Sequence, residues 1–308
     1  MKKYLYSLFA LAAVLGSCTS DVDENVSAEK SKSSPEYILT LKPFEFEDGT
    51  RVKLTDSGSG INFAWSFTEV FGVFPIDPEN AQAQWILNSA SNCPDDDHYA
   101  KFTGEGWQLQ DGVTYAAYQP YNGSAPNNTP YTAVPVSLPT AQAGTLSAIG
   151  SSYDYMWATG KYSKDKEDGA NCPGPGNVVF DFSHAISIIK IVIPDQSGTV
   201  GNVSVRSASN GNEFVVGGTM NVSTGVVTAT STSSSISLSS YETDDDGNRV
   251  FYLATFPTTL EFVMINFTVG NYRFAYYKTL NTKTFEAGKA YTWNLKNWTL
   301  DTPEYIGG

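Results

Sequence analysis

Short runs of β-branched and aromatic residues, separated by glycine, proline and asparagine, recur along most of the chain. Residues 51–55 alternate polar and apolar side chains, which is typical of a half-buried strand. Residues 178–193 form a long branched stretch that ends at Pro194. No window in the ordered part of the sequence shows convincing helical periodicity. Many short strands with frequent turn signals predict an all-β protein built from β-sandwiches.

A charged segment followed by a proline- and glycine-rich one interrupts this pattern. Residues 164–168 are all charged, and residues 172–176 contain two prolines and two glycines. Proline and glycine break strand pairing and favour linkers. The sequence therefore predicts an N-terminal sandwich domain over 36–165, a linker over 166–175 and a C-terminal sandwich domain over 176–308. One larger composite sandwich is the alternative.

The N-terminus has the features of a secretory signal. Two lysines are followed by an apolar run of about 11 residues, which ends in Leu15-Gly16-Ser17-Cys18. The run is too short for a transmembrane anchor, which needs roughly 20 residues. The ending resembles the bacterial lipobox, in which a peptidase cuts between Ser17 and Cys18 and the cysteine is acylated. We therefore predict a signal peptide over 1–17 and a lipidated, palmitate-bearing Cys18.

The residues that follow Cys18 are polar and contain almost no large apolar side chain. We interpret residues 18–35 as a flexible tether. Within it, Thr19–Glu24 resembles the acidic tract that follows the lipid cysteine in surface-exposed lipoproteins of the Bacteroidetes, and a plain solvated tether is an equal alternative. Because each buried methylene of an acyl chain contributes about 0.8 kcal/mol, two or more chains hold a protein firmly. The predicted location is the cell surface, at the outer membrane.

Composition limits the classes of partner. The chain has 308 residues and a formal net charge of −13, which becomes about −15 when the two signal-peptide lysines are removed. That balance opposes binding to nucleic acid, because a phosphate backbone requires a basic face. Hydrophobic residues make up 41% of the chain and aromatic residues 13%, which is enough for a substantial core. No cofactor is predicted.

Two cysteines remain when Cys18 is lipidated. Cys93 and Cys172 lie in similar settings, since each is preceded by asparagine and followed by proline. An oxidising compartment permits them to form a disulfide. The sequence alone does not place their Cα atoms within the required ~4.4–6.8 Å, so pairing and two free thiols both stay open. Two cysteines with no nearby histidine do not make a zinc site.

Candidates for catalysis and metal binding are few. Ser183 and His184 are adjacent, and adjacent strand residues point to opposite faces, so we expect a structural role for His184. His98 follows Asp95–Asp97, where a hard cation could bind, although a solvated acidic loop is the simpler interpretation. Asp244–Asn248 fits a β-hairpin turn better than a calcium loop. We predict no catalytic or metal site, and a hydrolase is disfavoured.

Aromatic residues offer one further function. The tryptophans, together with 18 tyrosines, could form a platform on which sugar rings stack, although packing in the core and on sheet faces is the more general role of such residues. A surface glycan-binding lipoprotein is therefore our alternative function. The tryptophans are Trp65, Trp85, Trp107, Trp157, Trp293 and Trp298.

Five groups of segments follow one another in a characteristic order, with a tyrosine-rich run that ends in Pro-Tyr and a closing aromatic strand. They are Gly60–Ser66 with Val70–Phe74, Tyr115–Tyr121, Val136–Pro139 with Tyr153–Ala158, Phe180–Ile193, and Phe285–Trp293. Together, behind a lipobox, they resemble the fimbrillin family of Bacteroidetes surface lipoproteins, the subunits of type V pili.

The resemblance implies two transthyretin-like Greek-key domains and a structural role in a pilus or adhesin rather than catalysis. It also implies polymerisation by donor-strand exchange, in which a protease cuts near the start of the first domain and a strand of the next subunit fills the exposed groove. Arg51 is the only arginine before position 206, so Arg51–Val52 is the candidate cleavage site, with an ordinary strand residue as the alternative. The donor would be a C-terminal segment such as Tyr291–Leu300. The implied partners are other pilus subunits, the membrane, and a host protein or glycan.

Overall fold

The computed structural model describes eleven parts of the chain, and all statements about structure below refer to them. The predicted signal peptide (1–17), tether (18–35) and linker (166–175) lie outside these parts, so the division into two domains stays a prediction. The described residues are 36–41, 45–46, 70–76, 83–86, 91–92, 99–103, 109–123, 129–163, 176–194, 198–207 and 211–306.

Strands dominate the described residues, which confirms the predicted all-β class. The strands of the first half are β1 (Glu36–Leu41), β2 (Glu45–Phe46), β3 (Val70–Pro75), β4 (Ala83–Ile86), β5 (Ser91–Asn92), β6 (Tyr99–Thr103), β7 (Thr114–Gln119), β8 (Val134–Ser137), β9 (Ala141–Gln142) and β10 (Met156–Lys161). Between them lie a 3₁₀ turn at Tyr131–Ala133, a single α-helical turn at Leu146–Ala148 and a wider turn at Ile149–Tyr153.

The second half continues in the same way. Its strands are β11 (Gly176–His184), β12 (Ser187–Ile193), β13 (Val200–Ser207), β14 (Phe214–Met220), β15 (Val227–Ser233), β16 (Ser235–Leu238), β17 (Glu242–Thr243), β18 (Arg249–Thr255), β19 (Thr258–Val269), β20 (Tyr272–Phe285), β21 (Lys289–Asn294), β22 (Thr299–Leu300) and β23 (Glu304–Tyr305). A 3₁₀ turn at Leu295–Asn297 follows β21.

Side-chain periodicity explains the position of the strands. In β8, Val134 and Val136 are buried while Pro135 and Ser137 are exposed, which is the alternation of a strand with one face on the core. β12 is branched almost throughout, and all its residues except the half-buried Lys190 are buried. A strand buried on both faces belongs in the middle of a sheet, and β12 lies between β18 and β21.

The strands form four sheets. The order of the eight-stranded sheet is β4-β3-β7-β10-β11-β1-β6-β5, and that of the five-stranded sheet is β17-β18-β12-β21-β2. The seven-stranded sheet has the order β22-β20-β19-β13-β16-β9, and β23 also pairs with β20. The three-stranded sheet is β15-β14-β8. β8 and β9 therefore join sheets whose other strands come from the second half of the chain.

Two apolar clusters form the core. The smaller one contains Phe71, Tyr115, Phe180 and Phe182 and lies under the eight-stranded sheet. The larger one is built around β12 and combines residues that precede and follow the predicted linker. Burial of side chains of this size contributes about 1.5–3 kcal/mol each relative to exposure, so the larger cluster is the main source of stability.

Candidate functional site

The N-terminal strands β1 and β2 each pair with strands that come from later in the chain. β1 lies between β11, which runs parallel to it, and β6, which runs antiparallel. Leu39, for example, pairs with Phe180 on one side and Ala100 on the other. β2 pairs with the start of β21. The predicted cleavage site, Arg51–Val52, lies outside the described residues and follows both strands in the sequence.

The strand beside β1 has a fully apolar face. Val178, Phe180 and Phe182 alternate along β11, and each is at most 1% exposed. The Phe182 ring lies 5.3 Å from that of Phe71 and 6.3 Å from that of Phe180, measured between centroids. The backbone of β11 therefore pairs with β1 along one edge. Its apolar side chains pack in the smaller core cluster.

The C-terminal residues lie along β20 with little burial. β22 and β23 pair with β20 through two residues each. Leu300 is 43% exposed, Tyr305 60% and Ile306 41%. The main contacts are a ring contact of 5.4 Å between Tyr272 and Tyr305, and backbone hydrogen bonds at either end of the segment. We name Thr299–Ile306 the C-terminal edge segment.

β21 is held quite differently, although it belongs to the same part of the chain. It runs parallel to β12 over five residue pairs, from Ala290 to Asn294. Tyr291 and Trp293 are buried, and their rings contact Phe285 at 4.7 and 5.7 Å. The donor segment expected from the sequence, Tyr291–Leu300, therefore begins in a core strand and ends in the C-terminal edge segment.

His184 forms a buried pair with Asp154. Its Nδ1 lies 2.7 Å from Asp154 Oδ1, and both side chains are almost fully buried. Burial raises the pKa of Asp154 above its ordinary value, because desolvation of the carboxylate outweighs the opposing attraction and hydrogen bond of His184. Asp154 Oδ2 has no hydrogen-bond partner among the described residues. The pair ties the segment before β10 to the end of β11, in line with the predicted structural role of His184.

The arrangement does not resemble a hydrolytic triad. Ser183 precedes His184 in β11, and successive strand residues point to opposite faces. The strand pairing places Ser183 opposite Trp157, and His184 opposite Met156. Sequence reasoning did not identify Asp154 as the partner of His184. The only signal for it was an acidic residue between two tyrosines directly before a strand.

An open cleft of about 470 Å³ lies beside this pair. It is lined by Trp157, Ser183, Lys289 and residues of the β14–β15 turn. Gly225 in that turn has φ of +70°, and a side chain there would overlap the Trp157 indole. The absence of a side chain at this glycine leaves room for the Trp157 indole. Trp157 is only partly buried and is one of the tryptophans considered for sugar stacking.

The remaining predicted residues divide into two groups. The Asp244–Asn248 segment forms the hairpin turn between β17 and β18, as predicted: the Asp244 carboxylate accepts hydrogen bonds of 2.8 Å from the Asn248 backbone and 2.9 Å from its side chain. Trp293 and Trp298 are buried. Cys18, Cys93, Cys172, His98, Trp65 and Trp107 lie outside the described residues, so lipidation and the disulfide stay predictions.

The described residues contain neither a cluster of metal ligands nor a membrane-spanning helix. They contain no group of three or more histidine, cysteine or acidic side chains placed to hold a metal ion. They also contain no helix with the length and apolarity needed to cross a membrane.

Comparison with known proteins gives a family match and a set of similar folds. A family model described as fimbrillin-like matches residues 50–302. A proposed cell adhesion protein from Bacteroides ovatus has 18% identity and a TM-score of 0.53, and the alignment covers 90% of this chain and 99% of that one. A second proposed cell adhesion protein, from Bacteroides uniformis, has 17% identity, the same coverage and a TM-score of 0.51. No curated protein matches the chain.

Proposed function

The chain belongs to the fimbrillin-like family, and on that premise we propose that it is a subunit of a cell-surface pilus or adhesin. In this proposal the protein is anchored at the outer membrane through lipid on Cys18 and assembles by protease-triggered donor-strand exchange. The observation that carries the proposal is the position of β1. It lies inside the eight-stranded sheet and yet precedes Arg51 in the sequence, so that one cut frees it.

Release of β1 would create the acceptor groove. β11 and β6 would each lose a strand partner along five residue pairs. Their backbone N–H and C=O groups would become unpaired, and an unpaired sheet edge binds an added strand readily. Because β1 runs parallel to β11 and antiparallel to β6, only one strand direction reproduces both sets of hydrogen bonds.

The C-terminal edge segment is the better donor. Its two short strands have exposed side chains, so their release costs little buried apolar surface. Release of β21 would instead break its pairing with β12 and expose Tyr291 and Trp293. We therefore place the donor in Thr299–Ile306, which overlaps only the end of the Tyr291–Leu300 segment expected from the sequence.

Cleavage after Arg51 is favoured by the setting of the other arginines. Arg206 lies in β13, Arg249 in β18 and Arg273 in β20. A protease must bind its substrate as an extended chain with free backbone groups, and strands within a sheet do not offer them. In the folded protein, an arginine-specific protease should therefore leave these three sites intact.

Limited proteolysis tests the assembly route. The lipid-free protein, residues 19–308, is treated with an arginine-specific protease and followed by size-exclusion chromatography and negative-stain microscopy. We expect cleavage after Arg51 and conversion of monomers into polymers, with Arg51→Gln uncut and monomeric. Wild-type protein that is cut at Arg51 and stays monomeric would exclude this route.

A truncation separates the donor from the cleavage site. A variant that ends at Trp298 should be cut at the same rate as the full chain, because Arg51 is unchanged, and it should stay monomeric. Polymers formed by this variant would exclude Thr299–Ile306 as the donor. The lipid anchor is tested separately: Cys18→Ala should abolish labelling by radioactive palmitate, and unchanged labelling would exclude Cys18 as the acylated residue.

A further inference from the structure

The two edges of the three-stranded sheet differ in how their backbone groups are bound. β8, at one edge, contains Pro135, which has no N–H to offer to a further strand. Ser137 donates its backbone N–H to the Tyr155 hydroxyl at 3.2 Å, and this hydroxyl donates to the Ser137 carbonyl at 3.0 Å. The β8 edge is therefore closed by a proline and by a neighbouring side chain, as protected edges commonly are.

β15, at the other edge, pairs with β14 and with no other described strand. All side chains from Thr228 to Thr232 are exposed, so both faces of the strand are open to solvent. Among the described residues, the backbone hydrogen bonds outside strand pairing involve none of these five residues. The outer edge of β15 therefore offers unpaired N–H and C=O groups, which can bind a further strand.

Charged residues, which often protect a sheet edge, are missing from this part of the sequence. Residues 214–240 contain no lysine, arginine, histidine, aspartate or glutamate, and β15 contains no proline. The Glu213 carboxylate reaches one end of the strand, where it accepts a hydrogen bond of 2.6 Å from the Thr232 hydroxyl. A neutral edge lets two copies of a chain with a net charge of −13 approach each other without placing like charges opposite one another.

The pairing of β15 with β14 shifts register twice, but the two shifts cancel. Thr228 pairs with Thr219 and Thr232 pairs with Val215, so both strands advance by the same number of residues between these pairs. Because side chains alternate along a strand and paired residues point to the same face, Thr228 and Thr232 point to the same face of the sheet. The bulges between them increase the local twist, and two copies related by a two-fold axis share that twist.

We infer that β15 pairs with β15 of a second copy of this chain, antiparallel and about a two-fold axis at Thr230. In this arrangement Thr228 lies opposite Thr232 of the partner subunit, and Thr230 lies opposite its own copy. Threonine pairs are among the favourable contacts across antiparallel strands. β15 has no charge that would select an acidic or a basic partner, whereas the order Thr-Ala-Thr-Ser-Thr over 228–232 nearly matches itself when reversed. This is the self-complementarity that a two-fold interface requires.

The interface between two β15 strands is separate from strand exchange. β15 follows Arg51 in the sequence and lies outside the C-terminal edge segment, so the interface needs no cleavage. Two paired strands of this length bury less surface than the roughly 1,200 Å² of a stable complex, so free monomers should associate weakly. On a polymer of the kind proposed above, the edge would recur in every subunit, and many weak contacts between two polymers would act together. Only this last step rests on the proposed function.

Disulfide trapping on the uncleaved protein tests the interface independently of polymerisation. In residues 19–308 with Cys93 and Cys172 replaced by serine, Thr228→Cys and Thr232→Cys are prepared separately and mixed in a glutathione redox buffer. In the inferred pair, position 228 lies about 5 Å from position 232 of the partner subunit, which permits a disulfide, but about 14 Å from position 228 of the partner subunit. We expect the mixture to give at least about tenfold more cross-linked dimer than either variant alone. No cross-link in the mixture, or equal yields in all three samples, would overturn the inference.

A charge at the two-fold axis provides a second test. Thr230→Lys, added to both cysteine variants, would place two ammonium groups next to each other, and we expect the yield of cross-linked dimer to fall at least about tenfold. Ser239→Lys adds the same charge at an exposed serine outside β15 and should leave the yield unchanged. Added salt should raise the yield without Thr230→Lys, because it screens the repulsion between two acidic chains. An unchanged yield with Thr230→Lys, an equal loss with Ser239→Lys, or a yield that falls with salt would overturn the inference.

Discussion

The two edges of the seven-stranded sheet are closed by two-residue strands, but in different ways. At one edge β9 pairs with β16, and Gln142 within it is only 2% exposed. Its side-chain amide donates to the Ala254 carbonyl at 2.8 Å and accepts from the Ala254 N–H at 2.9 Å. Gln142 therefore pairs with β18 through its side chain as a neighbouring strand would through its backbone.

At the other edge, β22 and β23 have no such anchor. All four of their residues are exposed. The segment is held by backbone hydrogen bonds such as that from Asp301 to Ala275, at 2.8 Å, and by an exposed ion pair of 3.1 Å between Arg273 and Glu304. The edge strands β9, β22 and β23 are equally short, but only β9 contains a buried anchoring side chain. We therefore expect the C-terminal edge to open more readily than the edge formed by β9.

A reversible lock on the C-terminal edge would test this comparison most strongly. Arg273 and Glu304 are paired across β20 and β23, so cysteines at both positions are close enough for a disulfide to form. In a background where Cys93 and Cys172 are serine, the oxidised Arg273→Cys/Glu304→Cys variant should be cut after Arg51 but form no polymer. Reduction should restore assembly to the wild-type extent.

The same protein provides its own control, since only the redox state changes. Polymers formed equally by the oxidised and reduced forms would show that the C-terminal edge segment stays in place during assembly, and the comparison of the two edges would then carry no functional meaning.

Removal of the anchor at the closed edge should have the next largest effect. Gln142→Ala leaves the N–H and C=O of Ala254 buried without their partner, and each such group costs about 1–3 kcal/mol. We expect the free energy of unfolding to fall by about 2–4 kcal/mol, measured by urea denaturation. Gln110→Ala, at an exposed glutamine, should change it by less than about 0.5 kcal/mol. Equal effects of the two substitutions would remove the distinction between the edges.

Hydrogen exchange should show the same contrast without any substitution. The N–H groups of Ser237 and Ser240 donate to the chain around β9, whereas those of Asp301 and Ile306 donate from the C-terminal edge segment. Opening of an exposed edge requires little free energy, so we expect the second pair to exchange at least about tenfold faster, which corresponds to about 1.4 kcal/mol. Similar protection of both pairs by NMR would contradict a loosely held C-terminus.

The strands could be predicted from the sequence because the order of apolar and polar residues within each strand matches which of its faces are buried. β12 is branched almost throughout, β8 alternates, and the Asp244–Asn248 turn contains the residues that its geometry demands. The predicted class and the hairpin were confirmed for that reason. The family segments likewise consist of local patterns that a single strand or turn preserves.

Features that depend on distant pairs could not be predicted. Gln142 and Ala254 are 112 positions apart, and His184 and Asp154 are 30 apart. The residues around Gln142 and His184 in the sequence do not indicate which distant residue each side chain contacts. The left-handed backbone at Asn281 and Thr282 coincides with a register shift in the pairing of β20 with β19, and no local pattern of the sequence predicts that shift.

The smallest predicted effect concerns the ion pair at the C-terminal edge. The Arg273 and Glu304 side chains are 53% and 64% exposed, and exposed ion pairs contribute about 0–1 kcal/mol because water and salt screen them. Arg273→Ala should therefore lower the free energy of unfolding by less than about 0.5 kcal/mol, and less still at 1 M salt. A loss above about 1.5 kcal/mol would mean that this edge is anchored as firmly as the one held by Gln142, and a segment held that firmly would be a poor donor.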